Sequence, residues 1–459
     1  MRRTSACEGI GHNCPCPQFL HRTTLAEEKR DRITWVVSES EYQFCPPQRI
    51  HFGCVLEWYI KKEIVLVDRM SVKALDNKSA STPFPTRILL VIHAMTGGGS
   101  ERQMSCLANE LARLPSPNTV SLLTLSSSDN DRYSLDPRIQ RIGLGLTSSR
   151  GGIWNGTVGN WNRIQRMRRV QAELQPEVVV SFCDSTNILS LLAFSGRVPV
   201  LISERSDPRR QVLSRPWEWL RSWTYSRATR CVAQTDAVAE YLKEHYFRRS
   251  PNKVITIPSA IEAPDIDLAS CIAQRATNRP RILLFVGRLA QEKRVDRLLT
   301  AWSTLGSSCA DWRLHIIGEG PLEQELKRQA ERLGISGSID WIPWTNRIWD
   351  HWTEANAFAL PSDYEGFPQC ILEGMTAGLP GIVTDCSPAI SQIMENGVHG
   401  VIVSGNDNYS TSLRSFLSHP SDLESMGIRA AQRAKLYQWP AVAPQWIGAI
   451  QSLSTYCSS

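Results

Sequence analysis

The sequence predicts an α/β protein built from two parallel-sheet domains that follow one another along the chain. From Arg87 onward, continuous apolar runs of strand length alternate with helical stretches, the pattern of parallel strands covered on both faces. The alternation pauses over residues 262–280 and then restarts. A chain of 459 residues is also too long for one ordinary hydrophobic core. Ligands of such sheets bind beyond the carboxyl ends of the strands, so we expect a site in the cleft between the domains.

The composition is typical of a globular protein of the cytoplasm. Hydrophobic residues make up 42% and charged residues 21% of the chain, and no apolar run reaches the length of a membrane-spanning helix. The net charge of +6 suits anionic substrates or an acidic membrane surface, and it is weak support for nucleic-acid binding. Thirteen cysteines without regular spacing are typical of reduced thiols, and the N-terminus lacks the apolar core of a signal peptide.

Residues 1–84 differ from the rest and are predicted to be an irregular extension. They include four potential metal ligands, Cys7, His12, Cys14 and Cys16. A second ligand pair at zinc-finger spacing does not follow in the sequence, so accidental cysteines are the favoured interpretation. The run 70–85 is polar and leads directly into the first strong strand, which makes Met70 a candidate for the biological start.

The first domain is predicted over residues 85–262. A strand at 88–93 leads through a glycine-rich loop to a helix from about Ser100, where Ser100 and Gln103 have capping-box spacing. Further strands are predicted at 120–125, 177–182, 199–204, 230–233 and 253–258.

The second domain is predicted over residues 263–437, after a linker at 262–280 that is marked by prolines. Its strands are predicted at 281–286, 313–317, 339–342, 357–361, 380–384 and 400–403. A terminal helical segment, 438–459, carries Trp439 and Trp446 and is expected to pack back on the first domain.

The stretch 362–380 concentrates chemistry in a short space. Glu365 and Glu373 bracket a glycine, an aromatic residue and Pro368, directly after an apolar strand. Pro368 suits the first turn of a helix, and free N–H groups at a helix start attract anions. An anion there, with carboxylates accepting hydroxyl hydrogen bonds on both sides, indicates a diphosphate attached to sugars.

Two further motifs follow the first strand of each domain: Gly-Gly-Gly-Ser-Glu-Arg at 97–102, and Val-Gly-Arg-Leu at 286–289 with Glu292 and Lys293. With these motifs and E-G-F-P-x-x-x-x-E, residues 87–453 resemble the GT-B glycosyltransferases, within them the retaining family four, or group 1 glycosyltransferases. The long glutamate phrase is the most specific part, and the triple glycine alone would be weak. The resemblance implies two Rossmann-like domains facing a cleft.

The resemblance also implies roles for single residues. Arg288 and Lys293 would neutralise the donor diphosphate as it leaves. Glu373 would bind the ribose of the sugar nucleotide, and Glu365 would contact the transferred sugar. The remaining donor-binding candidates are Gly98, Gly99, Gly287, Gly366, Phe367 and Trp344. For Trp344, stacking on the base and ordinary packing are both open.

The resemblance implies no metal and no cofactor beyond the nucleotide-sugar co-substrate. Two Asp-x-Asp patterns, 129–131 and 265–267, fall in loops or in the linker rather than at a strand end. Cationic side chains and helix N-termini are expected to stabilise the charge of the leaving group instead.

The sequence departs from the family pattern at the end of the strand 199–203. Where many members carry a histidine, residues 203–208 are Ser-Glu-Arg-Ser-Asp-Pro, which resembles a branch that builds bacterial surface polysaccharides and lipid-linked oligosaccharides. Glu204 and Arg205 are therefore candidates for the acceptor side, with Glu204 a possible proton acceptor. A buried or interdomain ion pair is an equally open interpretation.

Residues 384–388, Thr-Asp-Cys-Ser-Pro, also resemble that branch, but its following glycine and glutamate are replaced by Ala389 and Gln392.

Six arginines accompany Trp217, Trp219 and Trp223 between residues 209 and 230. Such a segment can rest on an anionic membrane, or it can be a solvated face over a tryptophan-lined core.

These observations predict a retaining, metal-independent glycosyltransferase that is cytoplasmic or peripheral on the inner face of the plasma membrane. Its donor would be a nucleotide-diphosphate sugar, with UDP the favoured nucleotide, and its acceptor a glycan or a lipid-linked glycan. Two rivals stay open, a sugar-nucleotide epimerase on the same fold and a non-catalytic sugar-nucleotide-binding protein. Nucleic-acid binding is the least favoured, since the basic residues are scattered among acids.

Overall fold

The computed structural model of the protein describes residues 84–115, 118–146, 153–211, 213–306, 310–405 and 409–454, with backbone alone at 153–158. The predicted extension, its cysteine and histidine cluster and Met70 lie outside the described residues. Residues Asn77–Ser459 form one compact unit. No helix in the described ranges combines the length and apolar character needed to cross a bilayer.

Seven parallel strands of the described chain form the first sheet, in the order β3-β2-β1-β4-β5-β6-β7. Their bounds are β1 Arg87–Ile92, β2 Thr119–Thr124, β3 Gln140–Gly143, β4 Val178–Phe182, β5 Val200–Ser203, β6 Arg230–Ala233 and β7 Val254–Thr256. The helices that cover the sheet are α1 Gly99–Arg113, α2 Ile153–Leu174, α3 Asp184–Phe194, α4 Arg215–Thr224 and α5 Asp236–His245. Apolar side chains pack on both faces, which explains the continuous apolar runs of the strands.

Six parallel strands of the described chain form the second sheet, in the order β10-β9-β8-β11-β12-β13. They are β8 Arg281–Val286, β9 Trp312–Ile317, β10 Ile339–Ile342, β11 Ala357–Leu360, β12 Gly381–Thr384 and β13 Gly400–Val403. The accompanying helices are α6 Leu268–Thr277, α7 Val295–Ser303, α8 Glu323–Arg332, α9 Ile348–Glu354, α10 Gln369–Thr376, α11 Pro388–Ile393, α12 Tyr409–Leu417 and α13 Pro420–Ala434. The predicted fold class, two parallel-sheet α/β domains, is confirmed.

Two local predictions are wrong. The segment 262–280 is not a plain linker, because α6 begins inside it after Asp267, whose carboxylate accepts from the Ser270 N–H at 3.2 Å. Ser100 and Gln103 do not form a capping box. Glu101 instead accepts from the N–H groups of Gly97 (2.7 Å) and Gly98 (3.1 Å), whereas Gln103 is buried.

The chain passes between the sheets twice, and the two crossings are hydrogen-bonded to each other. The Ile261 N–H donates to the Tyr437 carbonyl at 2.9 Å, and the Trp439 N–H donates to the Ile261 carbonyl at 3.2 Å. After the second crossing, α14 (Trp439–Gln451) joins the core of the first domain, where Trp446 lies 5.3 Å from the Phe182 ring. This arrangement brings the C-terminal helix back to the first sheet.

The strand order reverses at one point in each sheet, between β1 and β4 in the first and between β8 and β11 in the second. Loops that leave such strands diverge to opposite faces and open a crevice at the carboxyl end of the sheet. The loop 97–99 follows β1, the loop 287–293 follows β8, and the loop 362–368 follows β11. All three sequence motifs therefore lie at topological switch points.

Candidate functional site

The helix α10 is fixed close to its sheet by small residues. A Cβ at Gly374 would lie 2.6 Å from the Phe358 ring, so only glycine allows this approach of helix and strand. Pro368 occupies the N-cap position just before the helix, and Gln369 in the first turn donates from Nε2 to the Gly99 carbonyl of the first domain at 3.3 Å. The start of α10 therefore meets the glycine loop across the cleft.

Glu365 is held by a lysine of its own domain. Lys293 Nζ donates to both carboxylate oxygens of Glu365, at 2.7 and 2.9 Å, and the Ser362 hydroxyl donates to the same carboxylate at 2.7 Å. Burial alone would lower the pKa of Lys293, but the attraction of Glu365 outweighs it and raises the pKa. The structure thus brings together the predicted phosphate-binding cation and the predicted sugar-binding carboxylate.

Glu373 is held from both domains. Arg102 of α1 donates from Nη1 to Oε1 of Glu373 at 2.5 Å, and Trp352 of α9 donates from Nε1 to Oε2 at 3.1 Å. This carboxylate is buried among apolar residues, where an ionised group needs such partners. Burial lowers and Glu373 raises the pKa of Arg102, and the net result is a raised pKa.

Arg288 stays apart from these pairs. Its side chain is exposed and donates from Nη2 to Glu292 at 2.7 Å, within the same loop. The backbone of Gly287, beside Arg288, packs closely against Gly318. A Cβ at Gly318 would lie only 2.0 Å from the Gly287 carbonyl oxygen. The loop of Arg288 is thus fixed by backbone contacts while its guanidinium faces solvent.

The glycine loop of the first domain has the backbone freedom that its position requires. Gly97 has φ +128°, and the carboxylate of Glu101 collects the N–H groups of Gly97 and Gly98. A Cβ at Gly99 would lie 3.8 Å from the Gln369 side chain. Gly98 and Gly99 consequently line the crevice opposite the start of α10.

Gly366 touches the first domain directly. A Cβ at this position would lie 2.9 Å from the Arg205 carbonyl oxygen, so a side chain would push the domains apart. Phe367 is buried, with its ring 6.2 Å from that of Tyr437. Phe367 therefore anchors the loop in the core and offers only its backbone to the cleft.

Trp344 is 57% exposed, and the alternative of a packing tryptophan is therefore wrong for the described structure. The guanidinium of Arg132, from the first domain, lies 5.4 Å from the centre of its ring. The ring follows β10, at the carboxyl edge of the second sheet. Such a surface can stack on a flat base.

The structure does not bring Glu204 into contact with the predicted donor-binding residues. It is fully buried in the first domain, where it accepts hydrogen bonds from the hydroxyls of Tyr225 (2.8 Å) and Ser206 (2.9 Å). Burial raises the pKa of Glu204, although the charge of Arg221 opposes the shift. This position favours an interior polar cluster over contact with a substrate.

Three of the four aspartates in the Asp-x-Asp patterns form local contacts. Asp131 forms an ion pair with Arg141 at 2.6 Å, and Asp129 accepts from the Ser127 hydroxyl at 3.0 Å. Asp267 caps α6, as described above. These three carboxylates are therefore already engaged by their neighbours.

Sequence reasoning assigned no role to three residues that shape the site: Arg102, Trp352 and Gln369. Arg102 belongs to the motif 97–102, which was the available signal. Trp352 and Gln369 carry no local signal, because their contacts join elements that are distant in sequence.

The protein has two Rossmann-like sheets, and pairs of cations and carboxylates lie near their switch points. This combination is typical of nucleotide-dependent proteins with a two-domain cleft. Two family models match the chain: the glycosyl transferase 4-like domain at residues 98–259 and the glycosyl transferases group 1 at residues 272–433. Together they cover well over half of the chain. The chain belongs to the group 1 glycosyltransferases of the GT-B fold.

Known relatives match at moderate identity. An uncharacterised glycosyltransferase of Haemophilus influenzae is 30% identical over 170 residues, or 37% of this chain and 48% of the relative. The chain thus spans about half the length of this relative. A Campylobacter jejuni enzyme, GalNAc-alpha-(1->4)-GalNAc-alpha-(1->3)-diNAcBac-PP-undecaprenol alpha-1,4-N-acetyl-D-galactosaminyltransferase, is 22% identical over 79% of this chain and 97% of its own.

Among solved structures, HepE of Anabaena in complex with UDP and glucose superposes with a TM-score of 0.61. The match covers 80% of this chain and 100% of HepE at 14% identity. At this identity the likeness shows the shared fold.

Proposed function

We propose that this protein is a retaining glycosyltransferase that moves a hexose or N-acetylhexosamine from a UDP-linked sugar to a glycan or lipid-linked acceptor. In this proposal the second domain, 263–437, holds the donor and the first, 85–262, holds the acceptor. The observation that carries the proposal is the pairing of Glu365 with Lys293 and of Glu373 with Arg102. Both pairs lie where the two switch points meet.

The chemistry follows from these groups. Lys293, Arg288 and the free N–H groups at the start of α10 supply positive charge for the departing diphosphate. Glu365 and Glu373 each keep lone pairs for hydroxyl groups of the sugar and the ribose. The anomeric carbon exchanges its bond to the diphosphate oxygen for a bond to the acceptor oxygen on the same face. The acceptor proton passes to the departing phosphate, and no metal is needed in this scheme.

The names of the relatives support the choice of substrates. The Campylobacter enzyme transfers N-acetylgalactosamine to an undecaprenol-linked glycan, and HepE binds UDP and glucose. We extend these classes to the present chain, with UDP as the nucleotide and surface polysaccharide biosynthesis as the setting.

We also propose that the protein docks on an anionic membrane through α4. Trp219 and Trp223 on this helix are 65% and 47% exposed, and their rings stack at 6.1 Å. Arg227 lies 3.7 Å from the centre of the Trp223 ring. Paired aromatic rings beside cations suit the interface of a bilayer, where a lipid-linked acceptor would be found.

A panel of nucleotide sugars in a thermal-unfolding assay tests the donor site, because a bound donor stabilises the folded state by mass action. We expect UDP sugars to raise the unfolding temperature. We further expect Glu373→Ala and Lys293→Ala to abolish nucleotide release, with Lys327→Ala in a partly exposed ion pair of α8 as the control. Undiminished turnover in correctly folded Glu373→Ala and Lys293→Ala would contradict the proposal.

A further inference from the structure

Arg205 is a buried cation whose hydrogen-bonding capacity is largely unused. It follows β5 on the first-domain side of the cleft and is 8% exposed. Its Nη2 donates to the Ser259 hydroxyl at 2.7 Å, and the Gln234 amide oxygen, in the orientation that satisfies its neighbours, accepts from the same nitrogen at 3.2 Å. Among the described residues, Nε and Nη1 have no acceptor and are shielded from solvent.

Two other buried arginines show what a structural role looks like in this protein. Arg275 is 6% exposed, and all three of its nitrogens donate to backbone carbonyls, the shortest being 2.9 Å to Ala377. Arg221 is fully buried, and its Nε and Nη1 also have no hydrogen-bond partner among the described residues. Its charge is balanced instead by two carboxylates, Asp184 at 3.5 Å and Glu218 at 3.3 Å. Arg205 has neither arrangement, since no carboxylate of the described residues forms an ion pair with it.

Burying Arg205 with Nε and Nη1 unpaired costs free energy of folding. An unpaired donor out of water loses its hydration without a replacement, and the loss is larger for a charged group. Burial lowers the pKa of Arg205 to about 10, so the guanidinium still carries its charge at neutral pH. The face of the Phe182 ring, 5.0 Å away, offsets only part of the cost. Folding alone gives no reason for an arginine here.

The position of Arg205 points to the acceptor side of the reaction. Its carbonyl oxygen faces Gly366, the residue that follows Glu365 in the second domain. Two residues further on, the Asp207 N–H donates to the Tyr364 hydroxyl at 3.2 Å across the cleft. A ligand that enters when these contacts part lies between the carboxyl edge of the first sheet and the loop 362–368.

We propose that Arg205 binds a phosphate or carboxylate group of the acceptor, placed beside the sugar that the second domain presents. The acceptor class is then an acidic glycan or a glycan phosphate, not a neutral sugar. The anion completes the hydrogen bonding of Nε and Nη1 and neutralises the buried charge. This inference rests on the proposed function, because it names the acceptor of the same cleft.

Thermal unfolding with inorganic phosphate as the probe tests the inference, at constant ionic strength and with UDP saturating so that the donor site is filled. We expect phosphate to raise the unfolding temperature of the wild type further. In Arg205→Met the apparent phosphate affinity should fall about tenfold to a hundredfold, the range for hydrogen bonds to a charged group. Arg205→Lys keeps the charge and should fall in between.

Arg275→Met is the matched control, because it removes an equally buried arginine. It strips partners from several carbonyls, so it should lower the unfolding temperature while keeping the phosphate response. Arg205→Met removes an uncompensated charge, so without phosphate its unfolding temperature should be unchanged or higher. A purely structural Arg205 predicts the opposite, a destabilised variant.

Three results would overturn the inference: no phosphate response in the wild type with or without UDP, an equal response in Arg205→Met, or a wild-type response that is seen only when UDP is left out. The third result would assign the anion to the donor site. Failure of UDP itself to stabilise the wild type would contradict the proposed donor site instead, and phosphate without UDP then tests Arg205 alone.

Discussion

Arg102 and Glu373, 271 positions apart in sequence, form a 2.5 Å hydrogen-bonded ion pair that joins α1 of the first domain to α10 of the second. The other oxygen of Glu373 accepts from Trp352, so the carboxylate is oriented from both sides of the cleft. A carboxylate has room for about four hydrogen bonds, and in the proposed function the two that remain are for ribose hydroxyls. If the proposed function is right, donor binding and the contact between the domains share one carboxylate.

A double-mutant cycle on this pair should show strong coupling in nucleotide binding. We expect Arg102→Met and Glu373→Gln each to weaken UDP binding about tenfold to a hundredfold, because each removes a charge-assisted contact. The double variant should be less impaired than the product of the single effects, with a coupling energy of about 0.5–3 kcal/mol. Titration calorimetry with UDP measures all four proteins.

The control for Arg102 is Arg113→Met in the last turn of the same helix, where the arginine forms an exposed pair with Glu110. This change should leave UDP affinity unaltered. Additive effects of Arg102→Met and Glu373→Gln would show that the ion pair has no part in donor binding.

Gly366→Ala should impair closure of the cleft without unfolding the protein. The new methyl group would lie 2.9 Å from the Arg205 carbonyl oxygen, a backbone atom that cannot move aside cheaply. Overpacking of this kind costs about 1–3 kcal/mol, and here parting the domains relieves it. We expect kcat/KM to fall about tenfold and the radius of gyration in solution scattering to increase.

Gly337→Ala is a suitable control, because a Cβ at this position meets nothing within 4 Å. This change should alter neither kcat/KM nor the radius of gyration. A Gly366→Ala variant with wild-type activity and wild-type dimensions would show that the cleft works without this close approach.

The strands at the centre of both sheets were predictable, because burial on two faces makes β1 and β8 continuous apolar runs. The edge strand β3 was missed, since Gln-Arg-Ile-Gly is short and only partly buried. The helix α6 was hidden by the prolines around it. Where burial is complete, the hydrophobic pattern is unambiguous, and at edges and connections it is not.

The site was predictable only as far as local motifs reach. Lys293, Glu365 and Glu373 stand in short phrases whose spacing indicates a helix start and an anion. The pairing of Glu373 with Arg102 and the close approach of Gly366 to Arg205 depend on how two domains meet, which no local periodicity encodes. Likewise, hydrophobic pattern alone left open whether Trp344 and Trp219 are exposed.

The tryptophans of α4 should govern membrane binding. We expect Trp219→Ser with Trp223→Ser to reduce binding to vesicles of phosphatidylglycerol and phosphatidylcholine at least about tenfold, because two aromatic side chains no longer enter the interface. Binding should also weaken as salt rises. Sedimentation with vesicles measures both effects.

Trp344→Ser is the matched control, since it removes an equally exposed tryptophan from the cleft. It should leave vesicle binding intact and weaken UDP binding. Unchanged vesicle binding by the α4 variant would remove the membrane contact from the proposed function.

Glu204→Gln should preserve activity and should change the pH dependence of stability. A general base contributes roughly a hundredfold or more to rate, so a loss of that size would make Glu204 the proton acceptor. We expect a much smaller loss, because the carboxyl group is enclosed by Tyr225 and Ser206, whereas Glu373→Gln in the same assay should be severely impaired.

Burial raises the pKa of Glu204 above its ordinary value of 4.5, so the folded protein holds this proton to higher pH than the unfolded chain does. Since the folded state binds more protons in that interval, its stability falls as the pH rises through 4.5 towards the folded pKa. Glutamine has no such titration. The free energy of unfolding of the wild type, measured in urea from pH 4 to pH 8, should therefore decline relative to that of Glu204→Gln. A difference that stays constant across this range would show that the carboxyl group titrates alike in the folded and unfolded chains, as a group open to water would.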